Sequence, residues 1–111
     1  MLGNILAILF GFISAYAQGP TDATLQYRGM WPADPKLDGY IAVADCGRIG
    51  QYAKLGTAAG VLNVRVFDCG GDDGGHSWMI ENNIVVEVDW YLWERYPEIV
   101  GGKAKLVYLE D

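Results

Sequence analysis

The sequence predicts a mainly β domain, a small barrel with one or two short helices, and three observations support this prediction. The chain has 111 residues, the size of one domain, and contains no low-complexity run or linker that would divide it. Short apolar or alternating segments, bounded by glycine or aspartate, recur beyond residue 38. Helical character is confined to two short segments, and this spacing favours a small barrel over a sandwich or a parallel α/β sheet.

The predicted strands are short segments dominated by β-branched or alternating apolar residues. They cover residues 40–44, 62–67, 84–88 and 105–109. The stretch 18–37 is interrupted by Pro20, Pro32 and Pro35 and is predicted as loop, except for a short strand at 24–27.

The predicted helices lie in the second half of the chain. Residues 90–96 contain neither glycine nor a β-branched residue and stop before a proline, so they predict a two-turn helix. Residues 77–82 predict one further turn, capped by Ser77, with the apolar residues Met79 and Ile80 facing inward.

The N-terminal segment has the composition of a secretory signal. Residues 1–17 carry no charged side chain, and the stretch from Ile5 to Ile13 is apolar. This stretch is too short to cross a bilayer, and Ala15-Tyr16-Ala17 has the small-x-small pattern that signal peptidase recognises. We therefore predict a signal peptide at 1–17, a domain at 18–111, and a secreted or cell-envelope protein without a stable membrane span after cleavage. An uncleaved membrane anchor is the alternative, because the first residues lack lysine and arginine.

The charge of the chain excludes one class of partner. Eight Lys and Arg residues against 14 Asp and Glu residues give a formal charge of −6. Such an acidic surface repels phosphate backbones, so nucleic acid is not an expected partner. The protein is expected to be a monomer.

The two cysteines, Cys46 and Cys69, predict a disulfide, because their count is even and the predicted compartment is oxidising. Two buried thiols are the alternative. Two cysteines without a pair of histidines are too few for a structural zinc site. The acidic pair Asp72-Asp73 lies in a glycine-rich loop without the ligand spacing of an EF-hand. No metal and no cofactor are expected.

One local pattern occurs twice, an apolar strand followed by Asp-Cys-Gly. The copies begin at Asp45 and Asp68, which lie 23 residues apart. In a pseudo-symmetric barrel these copies would stand at equivalent strand ends. The repeat therefore predicts two carboxylates placed together at one end of the barrel.

Several segments match one family in order. They are Tyr27-Arg28-Gly29, similar to an aromatic entry strand; 39–45, similar to G-x-x-A-V-D; 54–57, similar to a P-L-G-T turn; 64–70, similar to V-x-V-x-D-x-G; and 84–96 with 102–107, similar to a closing strand, helix and final strand. In these segments the chain resembles the double-psi β-barrels of secreted cell-wall proteins: the three-aspartate domain, rare lipoprotein A, and the barwin and expansin proteins. The resemblance covers roughly residues 27–109 and implies a six-stranded double-psi β-barrel.

The resemblance also implies an action on cell-wall polysaccharide, with peptidoglycan as the first candidate partner. Related lytic transglycosylases cleave the glycan with one acid that later acts as base on the sugar's own hydroxyl. The third acid of the family aligns with Glu87 or with Asp89, which lie two apart and therefore on one strand face. Glu87 is preferred, because Asp89 is the natural N-cap of the helix predicted at 90–96.

The catalytic candidates are Asp68 and Glu87, with Asp45 as a supporting carboxylate. Glycoside cleavage requires a protonated carboxyl at the leaving oxygen and a group that stabilises the oxocarbenium-like centre. If the barrel brings these acids together, mutual repulsion and burial raise one pKa. The alternative is structural, because strand-end aspartates commonly accept backbone N–H bonds in tight loops.

The candidate substrate-binding residues are Trp31 and Trp78, which lie in polar or glycine-rich loops where exposed aromatic rings suit the faces of sugars. Trp90 and Trp93, three apart on the predicted helix, are expected to pack on the barrel. His76 is predicted to be a solvated loop residue, with a general base as the alternative. The alternative function is a non-catalytic glycan- or protein-binding module that uses Trp31 and Trp78 on the same barrel, and a plain scaffold or inhibitor is a third possibility.

Overall fold

The structure, a computed structural model, describes residues 5–70 and 74–109, with side chains from residue 8 to 70 and from 78 to 109. In chain order the elements are β1 (Ile5–Ala15), α1 (Gln18–Tyr27), β2 (Gly39–Val43), β3 (Tyr52–Thr57), β4 (Gly60–Cys69), α2 (Gly74–Glu81), β5 (Ile84–Val88), α3 (Trp90–Arg95) and β6 (Lys103–Leu109). Single 3₁₀ turns occur at Cys46–Arg48 and Pro97–Ile99.

The strands form a closed barrel in the order β1-β5-β2-β4-β3-β6, with β6 returning to β1. The pairs β1/β5 and β2/β4 are parallel, and the other neighbouring strands are antiparallel. The prediction of a mainly β, six-stranded barrel is therefore confirmed, with three short helices where one or two were predicted.

Four of the described barrel strands lie where short apolar, alternating or β-branched segments predicted them. On β6, for example, Ala104, Leu106 and Tyr108 are buried, while Lys103 and Lys105 are exposed. The strand β3 is not among the predicted strands, because residues 54–57 resemble a turn. The turn in fact comes directly after Thr57, whose hydroxyl accepts a hydrogen bond from the Ala59 N–H. Two residues then connect β3 to β4 as a hairpin.

The helix α1 replaces the loop predicted at 18–23 and the short strand predicted at 24–27, whereas residues 28–37 form a loop as predicted. The helix α1 ends in a C-terminal Schellman motif. Gly29 has a φ of 72° and donates its N–H to the Gln26 carbonyl, and Met30 donates to the Leu25 carbonyl. Leu25 is buried and Met30 packs against the same cluster, which supplies the hydrophobic contact of this motif. The prediction of a strand at 24–27 was wrong, and so was the interpretation of Tyr27-Arg28-Gly29 as an entry strand.

The first strand of the barrel is supplied instead by the N-terminal segment. Residues Ile5–Ala15 pair with both β5 and β6, and Ile13 is only 2% exposed in the barrel interior. These are the residues for which the sequence predicted a cleaved signal peptide. Cleavage after Ala17 would remove this strand, so the segment is either cleaved as a signal peptide or retained as β1. The domain boundary at residue 18 stays a prediction.

The helix α2 begins at Gly74, three residues before the predicted cap at Ser77. Met79 is buried as predicted, but Ile80 is 61% exposed. Adjacent residues on a helix are about 100° apart around the axis, so both could not face the core. The acidic pair Asp72-Asp73 and the side chain of His76 lie outside the described part of the chain.

The helix α3 was predicted correctly, including its cap. One carboxylate oxygen of Asp89 accepts hydrogen bonds from the N–H groups of Tyr91 and Leu92, and the other accepts from the Tyr40 N–H at 2.6 Å. Trp90 and Trp93 make an edge-to-face contact with ring centroids 5.4 Å apart, and Trp93 packs on the barrel core. Within the described residues, no helix is both long and apolar enough to cross a membrane.

The apolar residues form two clusters. The larger one fills the barrel with inward side chains of the strands, together with Leu92 and Ile99 from beyond β5. The smaller one, called the outer cluster here, lies on the outer face of the barrel beneath α1 and consists of Leu25, Tyr40, Ala42 and Phe67. Tyr16, Met30 and Leu37 pack against the outer cluster and attach α1 to the sheet.

The two cysteines form a disulfide, so the pairing is confirmed and the alternative of two buried thiols is wrong. Cys46 follows β2, Cys69 ends β4, and their Cα atoms are 4.9 Å apart. The bridge closes a chain segment of 23 residues, which on the chain-entropy account contributes about 3 kcal/mol to stability. It ties together the ends of two parallel neighbouring strands.

Candidate functional site

Both copies of the Asp-Cys-Gly repeat lie at one end of the barrel, but the prediction of equivalent strand ends was wrong, since Asp68 lies within β4 and Asp45 follows β2. Strands β2 and β4 are parallel neighbours, Val43 stands opposite Cys69, and the Gly70 N–H donates to the Val43 carbonyl at 2.8 Å. The two aspartates of the repeat nevertheless have different surroundings. Asp68 faces α1, whereas Asp45 caps the 3₁₀ turn that follows β2.

A β-bulge determines the direction of Asp68. Ile41 of β2 stands opposite Val66 of β4, but the next residue, Ala42, stands opposite Asp68, so Phe67 is an extra residue on β4. Such an extra residue shifts the alternation of the strand by one position. Phe67 packs in the outer cluster, and Asp68 also faces outward.

Two donors hold the carboxylate of Asp68. The Tyr16 hydroxyl donates a short hydrogen bond to Oδ2, and Nη2 of Arg28 lies 3.0 Å from Oδ1. Both carboxylate oxygens therefore act as acceptors, as they do in an ionised carboxylate. The Asp68 side chain remains 24% exposed, so solvent or a ligand can reach it.

Glu87 lies on the same outer face as Asp68. Ala42 of β2 is flanked by Asp68 of β4 on one side and by Glu87 of β5 on the other. Two strand spacings put the Cα atoms of these acids about 10 Å apart. Burial raises the pKa of Glu87 above its ordinary value, and the negative charge of Asp68 raises this pKa further. Glu87 therefore keeps its proton to a higher pH than an ordinary glutamate does.

Tyr16 and Arg28 complete what is called the carboxylate site here, together with Asp68 and Glu87. Tyr16 stands just beyond β1, with its ring centroid 5.1 Å from that of Phe67. Burial, followed by the hydrogen bond to Asp68, raises the pKa of Tyr16, so its hydroxyl stays a donor. Arg28 follows the last residue of α1, and its Nε is buried without a hydrogen-bond partner among the described residues.

Asp45 is not part of this arrangement. Its side chain is 67% exposed, accepts a hydrogen bond from the Gly47 N–H at 2.8 Å, and lies 3.7 Å from the Arg48 guanidinium. These contacts are those of a cap on the 3₁₀ turn, the structural alternative that the sequence left open. The structure thus brings Asp68 and Glu87 together and leaves the third candidate acid apart.

Trp31 lines a cleft of about 540 Å³ between the loop after α1 and the helix α3. The Trp31 side chain is 48% exposed. The walls of this Trp31 cleft combine flat or apolar side chains with polar ones, among them Pro35, Leu37, Asp38, Tyr40, Tyr91 and Arg95. A flat ring beside polar groups suits the face and the hydroxyls of a sugar.

Trp78 does not share that cleft. It lies on α2 with 46% of its surface exposed. Its neighbours Met79 and Ile80 line a second cleft of about 410 Å³ together with Asp45 and Arg48. The sequence therefore identified two exposed tryptophans correctly, but the structure does not place them on one surface.

Tyr16 and Arg28 were not predicted as site residues. Tyr16 falls in the segment interpreted as a signal peptide, and Arg28 falls in the segment interpreted as an entry strand. The sequence signal that identifies α1, and with it the position of Arg28, is the glycine at residue 29 followed by an apolar residue. Within the residues that the structure describes, no group of three or more histidine, cysteine, aspartate or glutamate side chains is arranged for a metal ion.

Comparison of the chain with protein-family models gave no match, and neither did comparison with curated proteins or with solved structures. The geometry of the site is therefore the basis for the functional argument.

Proposed function

We propose that this chain is a glycan-cleaving β-barrel of the double-psi class, that it acts on cell-wall polysaccharide, and that peptidoglycan is its substrate. The observation that carries the proposal is the position of Glu87, an acid with a raised pKa on the same outer face as the carboxylate of Asp68. Pairs of acids whose surroundings push their proton affinities apart are typical of glycoside cleavage.

In the proposed mechanism Glu87 is the proton donor. It transfers its proton to the glycosidic oxygen while the bond from that oxygen to the anomeric carbon breaks. The positive charge that develops on the sugar ring is stabilised by the carboxylate of Asp68. The glutamate anion then removes a proton from a hydroxyl of the same sugar, whose oxygen bonds to the anomeric carbon. The product is an anhydro sugar, and Glu87 regains its proton.

Arg28 and Tyr16 hold the Asp68 carboxylate in the orientation that this role requires. Their hydrogen bonds occupy both oxygens of the carboxylate and fix its direction on the outer face. Charged hydrogen bonds of this kind orient a carboxylate more strongly than neutral ones.

The disulfide supports the proposed location of the protein, and the barrel supports the proposed fold class. A disulfide persists in oxidising surroundings, which supports a secreted or cell-envelope location. The closed six-stranded barrel is compatible with the double-psi class that the sequence resembles.

The test is mass spectrometry of soluble fragments released from purified peptidoglycan by the folded full-length protein. We expect anhydro-muropeptides from the wild type, and a loss of about 100-fold or more in the Asp68→Asn variant, because the amide cannot stabilise positive charge as a carboxylate does. The variant Glu94→Gln, changed at an exposed glutamate on α3, is the control and should behave as wild type. No release by the folded wild-type protein would contradict the proposal.

A second candidate function, a non-catalytic glycan-binding module, is favoured by the Trp31 cleft. Because a stacked ring contributes roughly 1 kcal/mol, Trp31→Ala is expected to weaken retention on insoluble peptidoglycan between threefold and tenfold. Trp78→Ala removes an equally exposed tryptophan outside this cleft, so it should leave retention unchanged. Pull-down with a range of glycan concentrations measures both, and equal retention by wild type and Trp31→Ala would exclude the cleft.

A further inference from the structure

The N-terminal segment contributes to both the barrel and the carboxylate site. Strand β1 pairs with β6 from Ile5 to Phe12 and with β5 from Phe12 to Ala15, so it closes the barrel between them. Its core residue Ile13 exchanges backbone hydrogen bonds with the turn before β6, from Ile13 N–H to the Gly102 carbonyl and from Gly101 N–H to the Ile13 carbonyl. Loss of β1 would leave β5 and β6 with unpaired edges and would open the barrel interior.

The C-terminal end of this segment contacts the carboxylate site through Tyr16. Tyr16 donates its backbone N–H to the Val88 carbonyl at 2.8 Å, which fixes it beside the end of β5. From there its ring packs on Phe67 and its hydroxyl reaches Asp68. A protein that began at Gln18 would lack this donor.

We propose that residues 5–17 remain part of the working protein and that Tyr16 is a positioning residue, which orients the Asp68 carboxylate toward the space it shares with Glu87. The positioning role rests on the proposed function of the carboxylate site. Retention of the segment rests on the barrel alone. The two parts therefore need separate measurements.

Two neighbouring residues distinguish a barrel strand from a signal segment, because the two hypotheses predict opposite effects for them. A Cβ atom on Gly11 would lie 2.6 Å from the Asn83 carbonyl oxygen, so Gly11→Leu is incompatible with β1, although it makes a signal segment more apolar. Phe10 is 69% exposed on the barrel, so Phe10→Lys is compatible with β1, although a charge there disrupts a signal segment.

The first experiment produces the full chain with each change in a host that has signal peptidase and also an oxidising cytoplasm, so that the disulfide forms whether or not the chain is exported. It measures the intact mass and the melting temperature of the folded product. We expect a folded protein that includes residues 5–17 for wild type and for Phe10→Lys, and a large loss of folded protein for Gly11→Leu. A folded product that begins at Gln18 and melts at the same temperature for wild type and Gly11→Leu would overturn the retention of β1.

The second experiment uses Tyr16→Phe, which keeps the ring on Phe67 and removes only the hydroxyl. We expect a small fall in the melting temperature, because one part-buried hydrogen bond is lost, and a fall in kcat of about tenfold with KM unchanged. The titration of the Glu87 carboxyl, followed by NMR, should move toward the ordinary glutamate range, because an Asp68 carboxylate released by Tyr16 turns away from Glu87. Tyr52→Phe, at an exposed tyrosine on β3, is the matched control.

An unchanged kcat and an unchanged Glu87 titration in Tyr16→Phe would overturn the positioning role. If the wild type releases no glycan, the NMR titration still decides whether Tyr16 controls the electrostatics of the pair. Failure of the proposed function is thereby distinguished from failure of this inference.

Discussion

Replacement of Glu87 by glutamine is expected to reduce the release of anhydro-muropeptides by about 10²–10⁴-fold, the usual contribution of a general acid. Glutamine has the shape of glutamate but carries no transferable proton at the glycosidic oxygen. The measurement is the initial rate of fragment release from peptidoglycan, with Glu94→Gln as the control for the same chemical change at an exposed site. A rate within threefold of wild type would exclude Glu87 as the proton donor.

The same residue predicts the pH dependence of the wild-type rate. Because burial and the charge of Asp68 raise the pKa of Glu87, its proton persists above the ordinary glutamate range, and the rate should fall only as the pH rises through this raised pKa.

The contribution of Glu87 to the stability of the fold depends on pH in the same direction. A carboxyl with a raised folded-state pKa stabilises the fold below its unfolded pKa, and this contribution is lost as the pH rises through the folded value. Glu87→Gln should therefore unfold no more readily than wild type at neutral pH, so its lost activity cannot be attributed to unfolding.

Replacement of Asp89 by alanine is expected to lower the free energy of unfolding by about 3 kcal/mol, from a lost N-cap and a buried N–H left without an acceptor. Asp89 is 2% exposed and accepts hydrogen bonds from the N–H groups of Tyr40, Tyr91 and Leu92. The first of these belongs to β2 and the other two belong to α3. The side chain therefore joins the helix to the barrel as well as capping it.

The matched comparison for Asp89 is Asp45→Ala, which removes an exposed cap that accepts one N–H. We expect this change to lower the free energy of unfolding by less than about 1 kcal/mol. Urea unfolding of the two variants at neutral pH measures the difference. Equal losses for the two aspartates would show that the link from α3 to β2 contributes little.

The parts of the fold that the sequence predicted correctly are those with a local signal. In β6, burial of one face imposes an alternation that is visible within seven residues, and β5 consists almost entirely of β-branched residues. The cap at Asp89 is equally local, since the residue and the N–H groups that it binds lie within three positions of each other.

The first strand had no such distinctive signal. A buried barrel strand and the apolar part of a signal peptide are both short, uncharged and apolar, so the composition of residues 5–13 fits either. The distinction comes from long-range pairing with β5 and β6, which no local pattern encodes. The helix α1 was missed for a different reason, because Pro20 within it and Pro32 and Pro35 after it outweighed the C-terminal signal at Gly29.

The carboxylate site could be predicted only in part for the same reason. Asp68 and Glu87 were found because they stand at or near the ends of recognisable strands. Tyr16 and Arg28 reach Asp68 across 52 and 40 residues of chain, and each comes from a segment whose structure was predicted wrongly or left open.

The bulge at Phe67 has a consequence for the shape of any variant of this barrel. A strand has two sides, and Val66 faces the inside, so strict alternation would turn Asp68 inward among the valines and leucines. The inserted residue changes the parity of the strand and places the acid outside the wall. Deletion of Phe67 alone would therefore leave the acid on the outer face, because Asp68 would then directly follow the inward-facing Val66, and the outer cluster would lose the Phe67 ring.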